Sequence, residues 1–199
     1  MTTNGPYLTP LKREDVPELE SIFQVTEEYL GFSANDVLTM ARLPQATKAY
    51  IEFAITVIQE ATISTQLIQL ITVVASAVSG CRYCTAHSAN NCNDAGIDTQ
   101  KIAAVWDYAS SPLFDEKERA ALDFAFKAAQ SPSALEQSDY DHMQKHFSET
   151  EVCEILLVVC QMGFFNRWND SVATQLEQKP RAFSEVTLPE QHWQIGKHT

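Results

Sequence analysis

Two cysteines and a histidine form the densest group of reactive side chains in the sequence. Cys81, Cys84 and His87 stand within the run Gly-Cys-Arg-Tyr-Cys-Thr-Ala-His at 80–87. A separation of three residues turns an α-helix by about 300°, so the two thiols lie on nearly the same helix face and can meet the short Cα separation that a disulfide requires. An imidazole one turn beyond Cys84 can accept the thiol proton or stabilise the thiolate, which is the attacking species. The group therefore predicts dithiol redox chemistry, such as reduction of a peroxide through a sulfenic acid that the second cysteine resolves.

Three other roles for these residues are less favoured. A structural zinc site needs four ligands, and the sequence offers no second Cys or His pair with metal-ligand spacing, so we predict no metal. A c-type haem needs a histidine directly after the second cysteine, where Thr85 stands, so we predict no haem and no other cofactor. A purely structural role is the third alternative, but paired spacing, a helix start and a nearby histidine argue for chemistry. Cys92, Cys153 and Cys160 lack those features and are predicted as small buried core residues.

A break in the helical pattern at Ser79-Gly80 predicts that Cys81 opens a new helix. Free N–H groups and the macrodipole at a helix N-terminus favour a thiolate there. By this argument alone, Cys81 is the more acidic of the two thiols.

The elements that position this group are predicted to be helices throughout. Apolar residues recur at three- and four-residue spacing and few stretches alternate, which indicates an all-α fold. Asp115 with Glu118, and Ser148 with Glu151, are capping-box starts. The positions of glycine, proline and capping residues predict helices over 13–30, from 33 or 35 to 42, over 45–60, from 62–65 to 79, and over 81–95, 98–111, 115–130, 136–147 and 149–165.

The length of 199 residues allows one domain with a sizeable core. We predict an N-terminal arm over 1–12, a single all-helical domain over 13–178, and a C-terminal arm over 179–199. Two prolines and weak periodicity predict the second arm, which would lie on this domain or on a neighbouring subunit.

Acidic side chains outnumber basic ones by 26 to 14, which gives a net charge of −12. Nucleic acid and anionic membrane surfaces would repel such a chain, so neither is predicted as a partner. Residues 1–10 show no secretory signal, and polar residues interrupt the uncharged segment 61–81 too often for a membrane span. Together with the odd number of cysteines, five, these features predict a reducing, cytoplasmic compartment.

The cysteine group and two later stretches resemble the carboxymuconolactone decarboxylase-like superfamily, which includes the alkyl hydroperoxidase D (AhpD) proteins. The match covers about 35–178 and rests on the motif at 80–87, on 90–122 with its Ser-Pro-Leu-Phe and Glu-Arg-Ala-Ala-Leu runs, and on 163–177 (GFFNRWNDSVATQLE). The resemblance implies a compact AhpD-like helical domain with the CxxC motif at the start of a helix. It also implies a homo-oligomer, as a dimer, trimer or hexamer.

The resemblance further implies a role for each member of the group. Cys84 would attack the peroxide, Cys81 would resolve the product, and His87 would belong to a proton relay. Two positions depart from the better-studied members: Ser88 occupies the usual place of the histidine, and Gln69 stands where a relay glutamate would fall. An amide cannot accept a proton as a carboxylate does, so the relay is predicted to be incomplete.

The leading hypothesis is a cysteine-dependent, peroxidase-like antioxidant oxidoreductase. Its partners would be a peroxide substrate and a dithiol or thioredoxin-like reductant. The alternative, favoured by Gln69, is a non-catalytic thiol switch or binding member of the same fold. Decarboxylase or lactone chemistry is implied only by the superfamily name and needs no cysteine pair. Arg167 has two interpretations, as an anion clamp over the site or as a buried partner that orients packing, and the second is favoured.

Overall fold

A computed structural model describes residues 5–199, and those residues form helices without a β-strand. This confirms the predicted all-α fold. Short 3-10 helices cover Arg13–Asp15, Pro17–Leu19 and Val105–Asp107. The α-helices are α1 Glu20–Leu30, α2 Asn35–Met40, α3 Pro44–Glu60, α4 Thr65–Val78, α5 Arg82–Asp94, α6 Thr99–Ala103, α7 Glu116–Ala128, α8 Gln137–Met143, α9 Glu149–Val172 and α10 Gln178–Thr187.

Local signals set most helix starts. Asp115 begins α7 and Ser148 begins α9, each with the reciprocal capping-box hydrogen bonds that the sequence predicts. Four limits differ from prediction by more than two residues. Helix α6 ends at Ala103 rather than at 111, and α8 ends at Met143 rather than at 147. The other two limits have a local cause. Helix α1 starts at Glu20 because Pro17 belongs to a separate 3-10 turn. Helix α9 continues to Val172, beyond the predicted end at 165, because no proline or positive-φ residue precedes Ala173 at φ 51°.

Helix α4 is the centre of the core and packs against α5, α7 and α9. Ile71 and Val73 are completely buried, which explains why the segment carries no charge. Among residues 5–199, no helix is long and apolar enough to cross a membrane. Helix α5, which carries the cysteines, is therefore held between α4 on one side and α9 and α10 on the other.

The C-terminal residues, which we expected as an arm, contain helix α10 and pack onto the start of α5. Trp193 donates its indole N–H to the carbonyl of Arg82 at 2.9 Å, and the N–H of Leu176 donates to the carbonyl of His198 at 2.9 Å. Trp193 and His198 are buried although their segment is mostly polar, which is why periodicity gave no signal. The domain limits remain a prediction, and residues 1–4 of the predicted N-terminal arm lie outside the described residues.

Candidate active site

The two cysteines of the motif lie at the first turn of α5, as the glycine break predicts. Cys81 is the N-cap residue, and its Sγ accepts the backbone N–H of Cys84 at 3.3 Å. Both are free thiols and both are buried. The sequence spacing thus brings the thiols together at one helix end.

A cavity of about 550 Å³ distinguishes the two thiols. Cys84 lines this cavity, whereas Cys81 does not and has no exposed surface. Most of the wall is apolar and comes from α2, α3 and α9, with Val37, Ile51, Ala54, Ile55, Met162 and Phe165. A small organic molecule in the cavity would therefore meet Cys84 first.

Asn169 of α9 contacts the Cys84 thiol. Its Nδ2 donates to Cys84 Sγ at 3.4 Å and to the Oδ2 atom of Asp36 at 3.3 Å, while its Oδ1 accepts the Thr174 hydroxyl at 2.7 Å. The third bond fixes which end of the amide faces the sulfur. The sequence marked the stretch around 166–169 only by resemblance, because no local pattern links a residue of α9 to the start of α5.

Burial is the largest influence on the Cys84 thiol and raises its pKa well above the ordinary value. The neighbouring Cys81 thiol adds to this rise, the Asn169 N–H opposes it, and the negative charge of Asp36 supports it. In the resting site Cys84 is therefore a protonated thiol at neutral pH, and reaction requires it to lose that proton.

His87 lies one turn along α5 and pairs with a carboxylate that the sequence did not indicate. Its Nε2 is 2.6 Å from Oε2 of Glu177, and its ring stacks on Tyr83 at 4.3 Å between ring centroids. The other Glu177 oxygen accepts the Tyr83 hydroxyl at 2.9 Å and the backbone N–H of Asn35 at 2.6 Å. Glu177 is the N-cap residue of α10, so the C-terminal segment supplies part of the site.

The ion pair changes the pKa of both partners. Burial alone would lower the pKa of His87, but the charge and hydrogen bond of Glu177, with the charge of Asp36, raise it above its ordinary value. Burial alone would raise the pKa of Glu177, but His87 and the Asn35 N–H lower it. Both shifts favour an imidazolium paired with a carboxylate, an arrangement in which His87 can donate a proton.

Within the described residues, no hydrogen bond joins His87 to Cys84. The two side chains instead line the same cavity, where a bound molecule could contact both. This changes the expected arrangement, in which the imidazole takes the thiol proton directly.

Gln69, where the resemblance expects a relay glutamate, does not contact His87 in the hydrogen bonds of the described residues. Gln69 also lines the cavity, but its amide donates to the Tyr29 hydroxyl at 2.9 Å. Glu177 places a carboxylate against His87 although Gln69 occupies the position where the resemblance expects a relay glutamate. Glu177 is the last residue of the stretch 163–177 that carries the family resemblance, but no spacing relates it to His87, and the packing of α10 against α5 is what identifies it as a site residue.

Other residues that the sequence singled out lie away from this site. Cys92 is buried as predicted, but Cys153 and Cys160 are exposed on α9, so their prediction as core residues was wrong. Arg167 is exposed and lines a separate groove near the end of α7, so it is neither a clamp over Cys84 nor a buried partner. Among the described side chains, no group of three or more His, Cys, Asp and Glu could hold a metal ion.

The chain is similar in sequence and in fold to proteins that are already known. Residues 44–127 match the model of the carboxymuconolactone decarboxylase family. The crystal structure of a cysteine-to-alanine variant of the debrominase Bmp8, in complex with 2,3,4-tribromopyrrole, is 33% identical. Its TM-score is 0.84, and the match covers 89% of this chain and 95% of that one.

Two further relatives are more distant. The AhpD core of a peroxidase-related protein from Ralstonia eutropha JMP134 has a TM-score of 0.78 at 17% identity, over 87% of this chain and 94% of that chain, and supports the fold alone. The protein YnjA of Escherichia coli K12 is 24% identical over 92 residues, which are 46% of this chain. That match spans only half of the length of YnjA.

Proposed function

The chain belongs to the carboxymuconolactone decarboxylase and AhpD-like superfamily, and from this premise we propose that it is a dithiol oxidoreductase that reduces a small apolar organic molecule. Cys84 is the attacking thiol, Cys81 is the resolving thiol, and His87 with Glu177 supplies protons. The observation that carries the proposal is that Cys84, and not Cys81, opens into the apolar cavity that His87 also lines.

The first candidate reaction is reduction of an organic hydroperoxide. The Cys84 thiol first gives its proton to water in the cavity. The resulting thiolate attacks the terminal peroxide oxygen, the O–O bond breaks, and the alkoxide leaves with the electron pair of that bond. The alkoxide takes the proton of the His87 imidazolium, and Cys84 becomes a sulfenic acid. Cys81 then attacks Cys84, so that water leaves and a disulfide forms. An external dithiol returns both thiols and is itself oxidised by two electrons.

The apolar wall explains why an organic hydroperoxide is favoured over hydrogen peroxide. A cavity of about 550 Å³ has the size of a site for a small organic ligand, and hydrogen peroxide would fill little of it. Burial of the organic group against Ile51, Ala54 and Met162 would provide binding energy that hydrogen peroxide cannot obtain.

The second candidate reaction is reductive removal of a halogen from an aromatic ring. It is favoured by the 33% identity to the debrominase over 95% of that chain. The Cys84 thiolate would attack bromine, the carbon–bromine bond would break, and the ring carbanion would take a proton from His87. Cys81 would then displace bromide from Cys84 and form the same disulfide, again with a dithiol as the two-electron reductant.

One assay separates these reactions. Purified protein with dithiothreitol is given cumene hydroperoxide, hydrogen peroxide or 2,3,4-tribromopyrrole, and loss of each compound is measured by chromatography. We expect turnover of an organic substrate at a higher kcat/KM than that of hydrogen peroxide. The substrate that turns over identifies the reaction.

Three variants test the assigned thiols. Cys84→Ser should abolish turnover. In the absence of dithiothreitol, one equivalent of substrate should leave Cys81→Ser with a modified Cys84 that dimedone or mass spectrometry detects, where the wild type forms the Cys81–Cys84 disulfide. Cys153→Ser is the matched control, because that thiol is exposed on α9 and should leave the rate unchanged. An unaltered rate in Cys84→Ser would overturn the mechanism. A disulfide that forms without turnover of any substrate would favour the thiol switch.

A further inference from the structure

We infer that Asp36 is the substrate-recognition residue of the Cys84 cavity. Its carboxylate accepts a hydrogen bond from the substrate, which is therefore a small, largely apolar molecule with an N–H or O–H donor beside its reacting atom. The inference takes the location of the reaction from the proposed function, but it concerns binding and can be tested without turnover.

Asp36 is a buried carboxyl group whose hydrogen-bonding capacity is only partly used. It is 8% exposed and lines the cavity. Its Oδ1 accepts the backbone N–H of Val37 at 2.7 Å, and its Oδ2 accepts the Asn169 amide at 3.3 Å. A carboxyl group can accept more hydrogen bonds than these two, so Asp36 has acceptor positions left for another donor.

No Lys, Arg or His among the described residues forms a salt bridge with Asp36. The charge of His87 acts on Asp36 across the cavity, but no cation contacts the carboxyl group directly. A buried carboxyl group without such a contact is costly, since charge is stabilised in a protein interior chiefly by pairing and hydrogen bonds. Its two protein donors are a neighbouring backbone N–H and an amide shared with Cys84, which are modest compensation. The free-energy cost of burying Asp36 with so few donors, at the wall of a cavity, indicates a ligand that donates a further hydrogen bond to its carboxyl group.

The position of Asp36 relative to Cys84 restricts where the donor lies in the substrate. One nitrogen, Asn169 Nδ2, donates to both Asp36 Oδ2 and Cys84 Sγ. The distance between Asp36 Oδ2 and Cys84 Sγ therefore cannot exceed the summed lengths of these two hydrogen bonds. A small molecule that contacts both the Asp36 carboxyl group and the Cys84 sulfur must therefore carry its hydrogen-bond donor and its electrophilic atom close together, on one edge of the molecule.

The other carboxylates in or near the cavity do not compete for this role. Glu177 is occupied by His87, Tyr83 and the backbone of Asn35. Glu28 lines the cavity but is exposed to solvent, where a hydrogen bond to a ligand contributes little. Asp36 is thus the buried carboxyl group with free acceptor positions beside the nucleophile.

The test compares three ligands whose donors differ. The probes are 2,3,4-tribromopyrrole, its N-methyl derivative, and its 5-methyl derivative, which adds the same volume but keeps the N–H. Binding is measured by calorimetry on the full chain with Cys84→Ser, so that turnover cannot interfere. We expect the N-methyl compound to bind at least 10-fold more weakly than both N–H compounds, in the range of a charge-assisted hydrogen bond.

The same titrations with two further variants assign the preference to one residue. Asp36→Asn, which is nearly isosteric and removes a buried charge, should reduce the preference for N–H to less than about 3-fold if the carboxylate provides it. Glu28→Gln should leave the preference unchanged. A thermal melt confirms that each variant is folded.

Three results would overturn the inference: equal affinity for the N–H and N-methyl probes, a preference that Asp36→Asn leaves intact, or no binding of any of the three compounds. A clear N–H preference in a protein that turns over no substrate would instead support the role of Asp36 and reject the proposed reaction.

Discussion

The imidazole Nε2 of His87 lies 2.6 Å from the carboxylate Oε2 of Glu177, although 90 residues separate them in the chain. This pair gives the cavity a proton donor that is held in place from two sides, by the Tyr83 ring against the imidazole and by two further donors on the carboxylate. Asp36, which lines the cavity, has no salt-bridge partner among the described residues, and burial raises its pKa. Glu177 and Asp36 are thus in opposite environments, because His87 lowers the pKa of the first and burial raises the pKa of the second.

Replacing Glu177 by Gln should weaken the acid at His87. Without the carboxylate, burial lowers the pKa of His87, so less imidazolium is present at neutral pH. We expect kcat to fall by about 100-fold, in the range of general acid catalysis, and the His87 ring protons to titrate at lower pH in NMR spectra. Glu185→Gln, on the exposed face of α10, is the control and should change neither quantity. A titration of His87 that stays unchanged in Glu177→Gln would contradict this role.

Gln69→Glu should not increase turnover. In the proposed mechanism Glu177 provides the carboxylate beside His87, and Gln69 donates instead to the Tyr29 hydroxyl. A glutamate there would lose that donor and add a buried negative charge near the cavity, so we expect an equal or lower rate and a lower melting temperature. Steady-state kinetics and a thermal melt check this, with Gln59→Glu at the cavity wall as the comparison. A gain in rate would show that the relay is incomplete after all.

The His87–Glu177 pair should make stability depend on pH within a defined window. The pKa of His87 is raised on folding, so its contribution is complete below the ordinary value of 6.5 and is lost as pH rises through the folded value. The pKa of Glu177 is lowered, so its contribution is complete above 4.5 and is lost as pH falls through the folded value. The unfolding free energy of the wild type should therefore exceed that of Glu177→Gln most between pH 4.5 and 6.5, by about 1.5–3 kcal/mol.

Denaturant unfolding across a pH series measures this difference. Glu185→Gln gives the control curve, which should run parallel to the wild type. A difference between the wild type and Glu177→Gln that is constant from pH 4 to about 8 would show that the pair is not ionised as described.

Asn169→Ser should make the Cys84 thiol less reactive. The amide N–H that donates to Cys84 Sγ favours the thiolate, so its loss raises the pKa of the thiol further. We expect alkylation of Cys84 by iodoacetamide near neutral pH to slow by about 5- to 30-fold, which corresponds to about 1–2 kcal/mol for a hydrogen bond to a charged atom. Asn91→Ala, which lines the same cavity without contacting the sulfur, should react as the wild type does.

These rates are best measured by mass spectrometry of the peptide that carries Cys84, in a background with Cys153→Ser and Cys160→Ser, because those two thiols are exposed and react first. Equal rates in Asn169→Ser and the wild type would remove Asn169 from the activation of the thiol.

Local patterns in the sequence determined the fold class and the first half of the site. Helical periodicity, the capping boxes at Asp115 and Ser148, and the break before Cys81 each depend on contacts within about one or two turns, so they can be recognised without knowing the packing. The same holds for Cys81, Cys84 and His87, which a single helix brings together.

Tertiary structure alone decided which thiol faces a substrate and which groups surround it. Cys84 lines the cavity while Cys81 is enclosed, and Asp36, Asn169 and Glu177 reach the site from α2, α9 and the start of α10. Their distance along the chain carries no periodic signal, because it depends on how helices pack rather than on how each one forms. The sequence alone determined the thiols and their spacing, whereas the electrostatic environment that controls their protons was set by contacts 85 to 142 residues apart.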